Sequence, residues 1–83
     1  MAGNGYGVDM KVEIRLFASL RKYGLPQEEM ELAEGTTVGN LLEKIGIPPS
    51  EVAITLVNGR HAQEELPLND GETLALFPPI AGG

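Results

Sequence analysis

The chain has 83 residues, which is one domain with one small core, because a chain this short buries only ~60% of its unfolded surface. It has no cysteine and a single histidine, His61, which excludes disulfides, thiolate metal sites and cysteine nucleophiles and leaves almost no material for a zinc or catalytic centre. Six basic residues stand against twelve acidic ones, a net charge of −6 that disfavours nucleic acid and anionic membranes and suits docking on a basic protein.

Residues 1–9 are glycine-rich and read as a disordered leader, and Met10, which opens the first regular segment, is an alternative start. The leader has no positively charged stretch followed by an apolar one, and no apolar run approaches the ~20 residues that cross a bilayer, so a cytoplasmic location is expected. "MKVEIRLF" then alternates, with Val12, Ile14 and Leu16 on one face and Lys11, Glu13 and Arg15 on the other, the period of a half-buried strand. "ASLRKYGLPQ" reads as a loop. "EEMELA" is a second strand with Met30 and Leu32 inward and Glu29, Glu31 and Ala33 outward. Pairing these strands as a hairpin sets Lys11 and Arg15 against Glu29 and Glu31, for roughly 0.2–1 kcal/mol per pair.

After Gly35 the period changes. Val38, Leu41, Leu42 and Ile45 fall on one face of a short helix, with Thr37 as N-cap, Gly46 past its end and Pro48-Pro49 forbidding continuation. "AITLVNGRHA" reads as strand, Asn58-Gly59 turn, strand, because both turn positions require positive φ. "PLNDG" is a further turn, and "ETLALF" the last strand. The order, written ββαββ, is hairpin, helix, short hairpin and final strand: an α+β fold with a mixed sheet and one main helix on one face.

If Val12, Ile14, Leu16, Leu56, Leu74 and Leu76 face the helix, then Phe17, Val57, Ala75 and Phe77 face away from it. Unless a bulge shifts the phase or Leu68 covers them, they form an apolar patch of the kind that docks a partner. The segment 78–83, "PPIAGG", leaves from beside it. Pro78 and Pro79 end the strand and hold the chain extended, Ile80 and Ala81 are small apolar grips, and Gly82 and Gly83 add no side chain that would obstruct a narrow channel. Stiff base, grippable middle and bare tip suggest a carboxylate offered to another protein's active site.

The stretches "MKVEIRLFASLRKY", "EGTTVGNLLEKIGIP", "LVNGR" and "LNDGETLALFPPIAGG" resemble the MoaD/ThiS sulfur carriers, ubiquitin-like β-grasp proteins, over residues 10–83. The resemblance implies a β-grasp domain over 10–77 and a flexible Gly-Gly tail over 78–83. It further implies that Gly83 is the attachment point, first joined to AMP by an adenylating enzyme of the MoeB/ThiF type and then converted by a sulfur donor to a thiocarboxylate. Gly82, Ala81, Ile80, Pro79 and Pro78 would thread the channel. On this reading the chain is a protein cosubstrate with no catalytic residue and no metal of its own. It binds no cofactor, and ATP is consumed by the activating partner. "RLFASLRKY" and "FPPIAGG" look like the small subunit of molybdopterin synthase, MoaD, whose partner is the large MoaE-type subunit. The segment "LLEKIGIPPSEV" is shorter than in the best-known members of that branch, which leaves room for a tungsten-cofactor carrier, a thiazole (thiamine) carrier or a ubiquitin-related protein modifier. A β-grasp binding module with an incidental tail is the alternative of another class.

Overall fold

Strict alternation sets the first strand of the computed structural model, which describes residues 9–24 and 26–79. In β1 (Met10–Leu16) the residues Met10, Val12, Ile14 and Leu16 are buried. β2 (Gln27–Leu32) runs antiparallel to it, with Leu32 buried and Met30 half-buried on the same side. The cross-strand charges differ from expectation. Lys11 does lie opposite Glu31, but Glu13 lies opposite Glu29 and Arg15 opposite Gln27. Arg15 instead pairs with Glu13, two residues back on its own face. The segment expected to be a loop contains a 3-10 helix, Ala18–Tyr23, which drives Leu20 fully into the core.

Helix α1 (Val38–Ile45) is capped as its sequence predicts. Thr37 Oγ1 accepts from the Asn40 amide at 3.1 Å and Asn40 Oδ1 accepts from the Thr37 amide at 3.2 Å, a reciprocal box. Gly46 follows in the left-handed region (φ 93°), its N–H donating to Leu42 O at 2.9 Å. Two further first-turn amides are satisfied from the 62–72 loop, Val38 N donating to Leu66 O at 3.0 Å and Gly39 N to Glu64 O at 2.9 Å. That loop buries Leu68 in the core, so Leu68 does not cover the open sheet face.

β3 (Ile54–Val57) and the two-residue β4 (Arg60–His61) join through Asn58 (φ 51°) and Gly59 (φ 83°), and β5 (Thr73–Phe77) ends the described fold. Counting β4, the described residues form five strands in the sheet order β2-β1-β5-β3-β4. β5 pairs parallel with β1 and antiparallel with β3. The largest fully buried side chains, Leu20, Leu41, Leu74, Leu76, Val12 and Val38, come from β1, the 3-10 helix, α1 and β5. The core therefore fills the space between helix and sheet and leaves the opposite sheet face bare. No helix among the described residues is long and apolar enough to cross a membrane. The expected leader other than Asp9, and Ile80, Ala81, Gly82 and Gly83 of the expected tail, lie outside the described residues.

Candidate functional site

β5 is the central strand, and the chain that follows it departs between the ends of its two neighbours. Leu76 lies beside Leu16 of β1, and Phe77 lies opposite Ile54 of β3. Two backbone bonds hold the exit: Phe17 N donates to Leu76 O at 3.2 Å, and Ala53 N donates to Phe77 O at 2.8 Å. Phe77 is thus fixed on both sides, and Pro78 and Pro79, without N–H groups, end the ladder there.

On the face away from α1, the Phe17 and Phe77 rings stack with centroids 4.3 Å apart and planes 13° from parallel. Ile54 stands across from Phe77 and is 40% exposed, unusual for a large apolar side chain. Together with Pro78 and Pro79 they line a shallow groove of about 450 Å³, whose far lip is Ala18 and Ser19. Ala18 holds a left-handed backbone (φ 53°), a conformation that costs a residue with a Cβ of order 1 kcal/mol. The turn it makes directly after β1 keeps the Phe17 ring over Phe77 while the chain reverses into the 3-10 helix.

The structure keeps three of the four patch residues on the open face and moves the fourth. Phe17, Ala75 and Phe77 are half-buried there. Val57, expected beside them, is only 6% exposed and belongs to the core. The reason is register. Val57 lies opposite Leu74 and Leu56 opposite Ala75, and directly opposed residues share a face. Asn58 locks that register from both ends, its N–H donating to Thr73 O at 2.8 Å and its Oδ1 accepting from Thr73 N at 2.9 Å. Leu56, expected inward, therefore replaces Val57 on the open face, and Ile54 joins it. The Asn58-Gly59 turn marks the hairpin and pairs Val57 with Arg60, but the phase of β3 is set only by its pairing with β5. Pro78 is half-buried and Pro79 exposed at the groove rim, whereas Gly83, Gly82, Ala81 and Ile80 lie outside the described residues.

The surroundings of the groove are chemically quiet. Among the described residues no group of three His, Asp or Glu side chains is disposed to hold a metal ion, and no polar or charged residue is buried. The perturbed titratable pair sits elsewhere, where Tyr23 Oη donates to Glu51 Oε1 at 2.8 Å. That bond, helped by Lys22 Nζ at 3.3 Å and opposed by partial burial, holds the Glu51 carboxyl below its ordinary range. The same bond, with partial burial and the Glu51 charge, raises the Tyr23 phenol. The groove offers a binding surface with an aromatic floor, an exposed Ile54 and a chain exit, and none of its described lining residues is an acid or a base.

Comparison with known proteins gives a consistent set of relatives. The ThiS family matches over residues 14–83. Among solved structures, the putative molybdopterin converting factor subunit 1 from Pyrococcus furiosus is 32% identical, with a TM-score of 0.69 over 86% of this chain and 99% of that one. SAMP1 from Haloferax volcanii is 28% identical, with a TM-score of 0.71 over 88% of this chain and 99% of that one. The HVO 2177 protein of the same organism is 26% identical, with a TM-score of 0.78 over 100% of this chain and 94% of that one. No curated protein matches the chain.

Proposed function

Because the chain belongs to the ThiS family of small sulfur carriers with the ubiquitin-like β-grasp fold, we propose that it carries sulfur on Gly83 for molybdopterin synthesis, as the small subunit of the synthase. The observation that carries this reading is the exit of β5. The most firmly held strand of the sheet delivers the chain into an apolar groove and onto Pro78-Pro79. A carrier needs that combination, since a partner must grip the domain while the terminal residues enter its active site.

The chemistry is acyl activation. A carboxylate is a poor electrophile, so the activating enzyme lets a Gly83 carboxylate oxygen attack the α-phosphorus of ATP, and pyrophosphate leaves. A sulfur nucleophile at the sulfide level then adds to the acyl carbon, and AMP departs with the electrons of the broken C–O bond. The product is a thiocarboxylate, whose sulfur is itself a nucleophile towards a pterin precursor in the large subunit. The domain's own residues bind and orient. Phe17, Ile54 and Phe77 dock the partner, Pro78 and Pro79 aim the tail, and Gly82 passes where a Cβ would obstruct. Similarity to the subunit 1 protein from Pyrococcus furiosus favours the molybdopterin branch.

The comparable similarity to SAMP1 favours a second reading, in which the activated carboxyl is joined to a lysine amine of another protein as a modifier. Intact mass spectrometry after incubation with ATP, an adenylating enzyme and sulfide distinguishes them. Exchange of one oxygen for sulfur on the free chain is the expected result, with rapid transfer to the large synthase subunit's pterin substrate. An isopeptide-linked product in place of the thiocarboxylate would establish the modifier reading. Gly82→Ala should slow activation steeply with an unchanged melting temperature, and a chain extended by one alanine after Gly83 should not be sulfurated at all.

A further inference from the structure

The sheet order leaves β2 as an edge strand, with β1 and β5 between it and β3. The bond from Leu16 N to Pro26 O (2.9 Å) continues the β1–β2 ladder. In an antiparallel pair, backbone groups point alternately towards and away from the neighbour. Glu28, Met30 and Leu32 therefore bond to β1, while the N–H and C=O groups of Gln27, Glu29 and Glu31 point outward, and no described backbone group bonds to them.

Proteins commonly blunt such an edge with charge, and here the charges β2 itself carries have one sign. Glu28, Glu29 and Glu31 line the strand; across from them on β1, Glu13 lies opposite Glu29 and Lys11 opposite Glu31, while Arg15 is engaged with Glu13 rather than with β2. A second copy of β2 added to this edge would set carboxylates against carboxylates, which is destabilising. A basic strand would meet the opposite field. On the helix side, the same edge borders a recess of about 170 Å³ floored by Ile14 and Leu16, walled by Met30, Ile45 and Tyr23, with Glu28 at its rim. An added strand would lie about 4.8 Å outside β2 and send alternate side chains to the two faces.

The geometry points to the outer edge of β2 as a strand-addition site for an extended segment of a partner protein in which apolar residues alternate with lysine or arginine. The apolar side chains face the Met30–Ile45 recess, and the basic ones face Glu29 and Glu31. Backbone bonds supply affinity and the alternation supplies specificity, as in other edge-strand recognition. The site does not depend on the sulfur-carrier reading: it lies on the outer edge of β2, whereas the groove is lined from the ends of β1, β5 and β3.

The test uses the isotope-labelled full chain and two capped hexapeptides, one alternating isoleucine with lysine and the other isoleucine with glutamate. At low salt the lysine peptide should bind at least about tenfold more tightly than the glutamate peptide, and added salt should weaken it. It should slow hydrogen exchange at the amides of Gln27, Glu29 and Glu31. Glu29→Pro removes one outward N–H without touching a bond to β1, and should cut affinity at least about tenfold. Glu29→Lys/Glu31→Lys, which keeps the backbone whatever Glu29→Pro does to folding, should reverse the peptide preference. No binding, equal affinity for the two peptides, unchanged exchange at the three amides, or chemical-shift changes centred on Phe17, Ile54 and Phe77 would each overturn the proposal.

Discussion

Truncating the stacked pair by Phe17→Ala, Phe77→Ala and the double substitution separates a docking aromatic from a core one. Planes in contact at about 3.5 Å with centroids 4.3 Å apart are displaced sideways by about 2.5 Å, the offset arrangement that aromatic pairs favour. Such a pair contributes about 0.5–1.5 kcal/mol beyond the area it buries. A fully buried phenylalanine cut to alanine loses about 3–5 kcal/mol. Each of these rings is only half-buried, with the groove open beside it, so each single variant should lose about 1–2.5 kcal/mol by the same scale. The double variant should lose about 1 kcal/mol less than the sum of the singles, because each single already breaks the stack. Urea melts with unchanged slopes measure this directly. Singles losing more than about 3 kcal/mol would place the rings in the core, and a coupling below about 0.3 kcal/mol, within ordinary additivity, would mean the stack contributes nothing. On the folded fraction, sulfur loading by the activating enzyme should fall about fivefold or more, since a docking aromatic carries upwards of 1 kcal/mol of binding.

Three further outcomes follow from the described contacts. Val57→Ala should lose roughly 1.5–3 kcal/mol, two buried carbons plus the cavity they leave, while Leu56→Ala on the open face should lose under about 1 kcal/mol in the same denaturant series; the reverse order would mean the β3 register is wrong. Thr37→Ala removes the acceptor of the Asn40 amide and should lower stability by about 1 kcal/mol in thermal melts. The Tyr23–Glu51 bond should leave a signature in stability against pH. Because Glu51 is depressed, its contribution is present above the ordinary carboxylate pKa and fades as pH falls through the lowered value. Because Tyr23 is raised, its contribution is present below the ordinary phenol pKa and fades as pH rises through the higher value. The stability difference between wild type and Tyr23→Phe, followed by urea melts, should thus be flat between those limits and shrink beyond both; a difference independent of pH would show the bond is not formed in solution.

The elements that could be read from sequence are those defined by local chemistry. Thr37 and Gly46 bracket α1, the Asn58-Gly59 pair marks its hairpin, and β1 alternates without ambiguity. Two failures have a common cause, which is that tertiary partners decided between equal local options. In β3 both sets, Ile54 with Leu56 and Thr55 with Val57, can face a core, and only pairing with β5 selects the second. In "ASLRKY" one apolar residue, Leu20, gives no period to read, yet it is fully buried because the chain must cross the end of the sheet there. The candidate site was legible as a place, the end of β5, but its apolar membership was mistaken by one strand's phase.

Placing β5 at the centre of the sheet also governs when the protein can exist. Its parallel pairing with β1 joins residues roughly 60 positions apart in the chain, and β3 reaches β1 only through β5. Before β5 arrives there are two separate hairpins, β1–β2 and β3–β4, each marginal in water, and a long loop must close before the parallel pairs reward it. Folding is therefore slow and all-or-none relative to a helical protein of this size. Phe17, Ile54 and Phe77, which line the groove, are brought together only by that last step; under the proposed function, an unfinished or damaged chain would offer an activating enzyme no handle by which to load its terminus.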